Sequence, residues 1–177
     1  MKNIIAAGQK VMDECKALNI PIGRIKQIKI NTRASRRWGQ CCREPDGYII
    51  EIAAILLDDK TPDNGLYSTI AHELLHTCPG CMNHDTKWKA YATIMNDRYG
   101  YNIKRTDNAE DKGLPAGTKI NPNKKEEPNR FEITCNRCGH KYYYKREGKV
   151  VQLMLAKPTT HGCRCACGSS ALVLKYL

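Results

Sequence analysis

His72 and His76 stand four residues apart in the run His72-Glu73-Leu74-Leu75-His76. On a helix, positions i and i+4 lie one above the other, so two imidazoles can close on one tetrahedral zinc ion at about 2.0–2.1 Å. The run therefore asks for a helix, and the sequence around it supplies one. Apolar Leu66, Ile70, Ala71, Leu74 and Leu75 flank the histidines, Thr61-Pro62-Asp63-Asn64 offers an N-cap, and Pro79-Gly80 is a stop. These signals predict a helix over about 65–77. Glu73 projects beside the first histidine, where a carboxylate reaches the metal's open position. It can there take a proton from water and pass it to a leaving amine, so the implied chemistry is hydrolysis of a peptide bond. His84 follows the Pro-Gly turn and offers a third imidazole, with Asp85 or a thiol of Cys78-Pro79-Gly80-Cys81 as alternatives. The plain alternative is a helix that happens to carry two surface histidines and a glutamate. Three of the five histidines falling within thirteen residues argues against it.

The elements around this helix follow from periodicity. Ile4, Ile5, Val11, Met12, Cys15 and Leu18 share one face of a helix predicted over 3–18. Residues 26–32 and 48–56 read as strands separated by the turn signal Pro45-Asp46-Gly47, and an antiparallel pairing of the two is expected. A last helix is predicted over about 85–99, capped by Asp85 and ended by Gly100. Residues 104–130 hold three prolines, two glycines and twelve charges with few large apolar groups, the composition of a solvated linker.

Residues 131–177 hold five of the ten cysteines among strand formers such as Phe131, Ile133, Tyr142, Tyr143, Tyr144, Val150 and Val151. No run approaches the ~20 apolar residues of a membrane span. Gln9, Lys10, Asp13 and Glu14 interrupt any signal-peptide core, so a reducing cytoplasm is the expected setting and metal ligation the expected use of these thiols. Cys135 and Cys138 form a knuckle with Gly139 behind it, and Cys163, Cys165 and Cys167 follow. The expectation is a β module holding zinc through Cys135, Cys138 and two of the last three cysteines, Cys167 being favoured by Gly168. Cys41, Cys42, Cys78 and Cys81 are expected to be free thiols.

The run Thr69 to His76, then Asn83-His84-Asp85 and Trp88-Lys89, resembles the SprT-like family, which includes the DNA–protein crosslink protease Spartan. Upstream, Arg33, Arg36, Trp38-Gly39 and Gly47-Tyr48-Ile49-Ile50 resemble the strand region before that family's catalytic helix. The resemblance implies a zinc metallopeptidase with metal ligands His72, His76 and His84, general base Glu73, and DNA-bound protein substrates. The expected fold class is α+β: a small zincin-like metalloprotease domain at 1–103, a linker at 104–130 and a zinc ribbon at 131–177. One catalytic and one structural Zn²⁺ are the expected cofactors. The family's glycine-flanked third ligand is replaced here by Asn83-His84-Asp85, and Asp85 could orient His84.

Charge points to a polyanionic partner. The chain carries a formal +11, and +6 of it falls in residues 131–177. Lys141, Lys145 and Arg146 interleave with Tyr142–Tyr144 in a pattern that suits phosphates and stacked bases, although alternate tyrosines of a strand also pack inward. A second cluster, Arg33, Arg36, Arg37 and Arg43, falls beside the strand region. Tyr91 and Tyr99 are oxyanion-donor candidates in principle only. The expected function is a zinc endopeptidase acting on DNA-associated proteins. The alternative is a nucleic-acid-binding accessory protein whose histidine site is structural or weakly active.

Overall fold

The computed structural model describes residues 1–125 and 127–177. It divides into two compact units, Met1–Lys124 and Lys125–Leu177. The architecture is α+β, with four α-helices and two three-stranded sheets among the described residues.

In the first unit, Asn3 caps helix α1 (Ile4–Ala17) by accepting from the backbone N–H groups of Ile5 and Ala6. Ala7, Val11 and Cys15 turn inward from it. The sheet contains β1 (Ile25–Asn31), β2 (Gly39–Glu44) and β3 (Gly47–Ala53), in the order β1-β3-β2. The two strands anticipated from the sequence are β1 and β3, and they run parallel, not antiparallel. The turn at Pro45–Gly47 explains this: it folds β2 back on β3 as the antiparallel neighbour, which leaves only the other edge of β3 for β1. β2 gave no alternating apolar signal because it is an edge strand, its residues half-buried apart from exposed Arg43.

Helix α2 (Asp63–Leu75) lies at the centre of this unit, with nine of its thirteen residues buried. Leu66, Ile70, Leu74 and Leu75 meet Val11, Ile50, Ile52, Leu56 and Leu57 in one core. Each such side chain contributes about 1.5–3 kcal/mol by leaving water, so this core can hold α2 in place whether or not a metal is bound. Helix α3 (Thr86–Tyr99) is capped by Asp85, which accepts from the Trp88 N–H at 3.3 Å, and ends at Gly100 with φ 67°.

Residues 104–124 correct the expectation of a linker over 104–130. They belong to the first unit. The Lys112 side chain is fully buried and pairs with Asp107, while Asp111 receives Asn102 Nδ2 at 3.2 Å and also pairs with Lys104. Lys112 passes so close to α2 that a Cβ on Gly65 would sit 2.5 Å from its carbonyl oxygen. Four of the charges that read as solvated, Lys104, Asp107, Asp111 and Lys112, pair with one another.

The second unit contains β4 (Phe131–Cys135), β5 (Lys141–Tyr144), helix α4 (Lys149–Ala156) and β6 (Leu172–Tyr176), with both sheet pairings antiparallel in the order β5-β4-β6. The expected all-β module therefore gains a helix. Val150 and Val151, read as strand formers, lie on α4, where Val151 and Met154, three residues apart, pack onto Phe131 and Ile133.

Candidate metal centres

The first centre is built at the end of α2 and the start of α3. His72 and His76 project one turn apart, and the Pro79-Gly80 turn, with Gly80 at φ 80°, brings His84 back over them. His72 Nε2 lies 3.2 Å from His76 Nε2 and 3.0 Å from His84 Nε2. Three nitrogens bound tetrahedrally to zinc at about 2.05 Å would lie roughly 3.3 Å apart, so the triad fits that ion. His76 Nδ1 donates to the Cys81 carbonyl at 2.9 Å, which fixes its tautomer and leaves Nε2 with a lone pair for metal. Burial, then the neighbouring His76 and His84, depress His72 to about 3 and hold its ring neutral, as a metal ligand must be. Trp88, almost wholly buried, packs against all three imidazoles with ring centroids 4.6–5.7 Å away.

Glu73 faces the same cleft, a space of about 450 Å³ also lined by Arg36, Arg37, Trp38, Gly39, Gln40 and Cys41 and by Arg105, Thr106 and Asp107. Its carboxyl is buried, and that burial pushes its pKa up to about 8, against the opposing pull of a Cys41 backbone hydrogen bond and the Lys112 charge. Gly39 is a steric requirement of this arrangement. A Cβ there would come within 2.7 Å of Glu73 Cγ and Oε1. Sequence reasoning missed the Cys81 carbonyl and the wall at 105–107: the first is a backbone group without a side-chain signature, and the second lay in the supposed linker.

Five other candidate residues do not join this centre. Asp85 is spent on the cap of α3, so it is not the third ligand. Cys78 and Cys81 are buried free thiols outside the histidine group, Cys78 being pushed up to about 12 mainly by burial. Tyr99 donates to the Glu14 carbonyl at 3.4 Å, and neither Tyr91 nor Tyr99 lines the cleft.

The second centre brings together Cys135, Cys138, Cys165 and Cys167, all four sulfurs within 4.8 Å of one another. The Sγ separations are 3.7 Å for Cys135–Cys167 and 3.6 Å for Cys138–Cys165, against roughly 3.8 Å for thiolates placed tetrahedrally 2.3 Å from zinc. Cys165 thus accompanies Cys167, and Cys163 stays outside, its thiol directed at the His161 carbonyl. Gly139 and Gly168, at φ 73° and 84°, close the two knuckles and donate to the carbonyls of Cys135 and Cys165 at 2.8 Å. The Tyr142 hydroxyl lies 3.2 Å from Cys165 Sγ, and chiefly through this hydrogen bond the Cys165 thiol is drawn down to about 6. Tyr142 and Tyr144 pack on the small core, whereas Tyr143 is exposed. Of the expected nucleic-acid cations, Lys141 pairs with Glu132 at 3.1 Å and Arg146 with Glu127 at 2.7 Å. Lys145 is exposed and makes no ion pair among the described residues.

No described helix is long and apolar enough to cross a membrane. A comparison with curated proteins returned no match. The sequence matches the family model of the SprT-like family over residues 11–107, a span that takes in α2, α3, all three histidines, Glu73 and both walls of the cleft. The chain belongs to the SprT-like family.

Proposed function

We propose that the chain is a zinc-dependent endopeptidase that cuts proteins associated with DNA, its second unit aiding recruitment to nucleic acid. The observation that carries this reading is the convergence of three imidazole Nε2 atoms beside a buried carboxyl in one open cleft. A purely structural metal site has no use for a base held at its edge.

His72, His76 and His84 would hold the ion, and Cys135, Cys138, Cys165 and Cys167 a second, structural one. When bound at the histidines, zinc supplies a Lewis acid that polarises the scissile carbonyl and makes water more acidic. Glu73 Oε1 or Oε2 takes the proton of the attacking water and returns it to the departing amine. The outer edge of β2, which pairs with no strand among the described residues and lies against α2 through Gly39, would give an extended substrate a strand to pair with. The formal +6 of residues 131–177, about +4 once four thiolates hold Zn²⁺, would provide sequence-independent attraction to phosphates.

The test is proteolysis of a DNA-binding protein by the wild type and by Glu73→Gln, with and without DNA, with metal content measured in parallel. Zinc-dependent fragments from the wild type are expected. Glu73→Gln should keep its zinc and lose roughly 10²–10⁴-fold in rate. Equal proteolysis by both would sink the role of Glu73. A chain that binds DNA with steep salt dependence and never cuts would be the accessory protein instead.

A further inference from the structure

The charges along the cleft are distributed unevenly. The cleft's two carboxylates, Glu73 and Asp107, are both withdrawn: Glu73 is only 7 % exposed, and the Asp107 side chain is 9 % exposed and paired with buried Lys112. Arg36, Arg37 and Arg105 are exposed and make no ion pair among the described residues. Every exposed formal charge on the cleft is therefore positive. Arg36 and Arg37 come from the loop that leads into β2, and Arg105 from the segment after α3, so a peptide in the cleft meets cations supplied by two separate parts of the chain.

We infer that this cleft selects acidic polypeptide segments, with Asp or Glu side chains flanking the scissile bond held by Arg36, Arg37 and Arg105. The inference rests on the peptidase reading and specifies its substrate class. Peptide is favoured over nucleic acid as the occupant because the arginines line the same space as Glu73 and the three histidines. That space of about 450 Å³ suits a few residues of extended chain. A basic segment would place like charges together in the cleft, which is costly.

The experiment uses the zinc-loaded full chain and one peptide series carrying Glu, Gln or Lys at each position flanking the cut. Glu should exceed Gln by about tenfold in kcat/KM and Lys by more, mainly through KM, and the gap should shrink as salt is raised. Arg36→Glu and Arg105→Glu should reverse the order toward Lys peptides. Arg37 is spared because its charge also acts on Glu73. Anisotropy of a labelled Glu peptide on Glu73→Gln gives a readout independent of turnover and should show the same order. A wild type that cleaves without charge preference would overturn this inference and leave the peptidase intact. Unchanged preference in both arginine variants, with weaker binding of a DNA oligonucleotide, would overturn it in favour of nucleic acid. Tighter binding of the Glu peptide to a chain that cuts nothing would uphold the selectivity and remove the peptidase reading.

Discussion

The two candidate metal centres rest on foundations of different strength. The histidines project from α2 and from the turn and helix start that follow it, and α2 is surrounded by a core that includes Val11, Ile50, Ile52, Leu56, Leu57, Leu66, Ile70, Leu74, Leu75 and Met95. The cysteines sit on turns of a unit whose buried core is Phe131, Ile133, Val151, Met154 and Leu172 together with two of the thiols themselves. In the first case the fold positions the ligands; in the second the ligands complete the fold. A unit of this size with so little apolar burial depends on cross-links of some kind.

Metal removal should expose that difference most strongly. Structural zinc in small domains is worth roughly 10–16 kcal/mol in apparent binding energy. A strong chelator under reducing conditions should therefore abolish amide protection throughout 131–177 while 1–103 keeps its own, as read by hydrogen exchange of the full chain. Cys135→Ser should do the same without chelator. Protection that survives in both units would break the contrast. Next in size is Lys112→Ala, which strands Asp107 in the interior and should cost about 3–5 kcal/mol in denaturant unfolding of the first unit. A loss under about 0.5 kcal/mol would return residues 104–124 to the status of a linker. Smallest is Cys163→Ser, expected to change stability by less than about 1 kcal/mol and to leave zinc stoichiometry unchanged, since its sulfur lies outside the tetrad. Loss of one zinc equivalent there would reassign the fourth ligand.

The sequence was informative where one local rule decides the outcome. Helical spacing located α1, α2 and α3, and the 72/76 pairing follows from the helix pitch alone. It was uninformative where partners distant in the chain decide. Nothing local says that β3 lies between β1 and β2, and Gly39-Gln40-Cys41-Cys42 has no alternation to mark a strand. Lys112 reads as solvated until Asp107 is found beside it. The choice of Cys165 over Cys163 depends on a turn in which the Cys165 N–H meets the Ser169 carbonyl at 2.8 Å, a backbone contact that spacing does not encode.

The three histidine ligands span only residues 72–84, whereas the walls of their cleft come from 36–41 and 105–107. Under the proposed peptidase reading, ion binding is thus encoded in one short stretch of chain, and substrate discrimination on separate flanking segments. Substitutions at Arg36, Arg37 or Arg105 would then change the lining of the cleft without altering an imidazole, whereas Gly39, pressed against Glu73, has no such freedom.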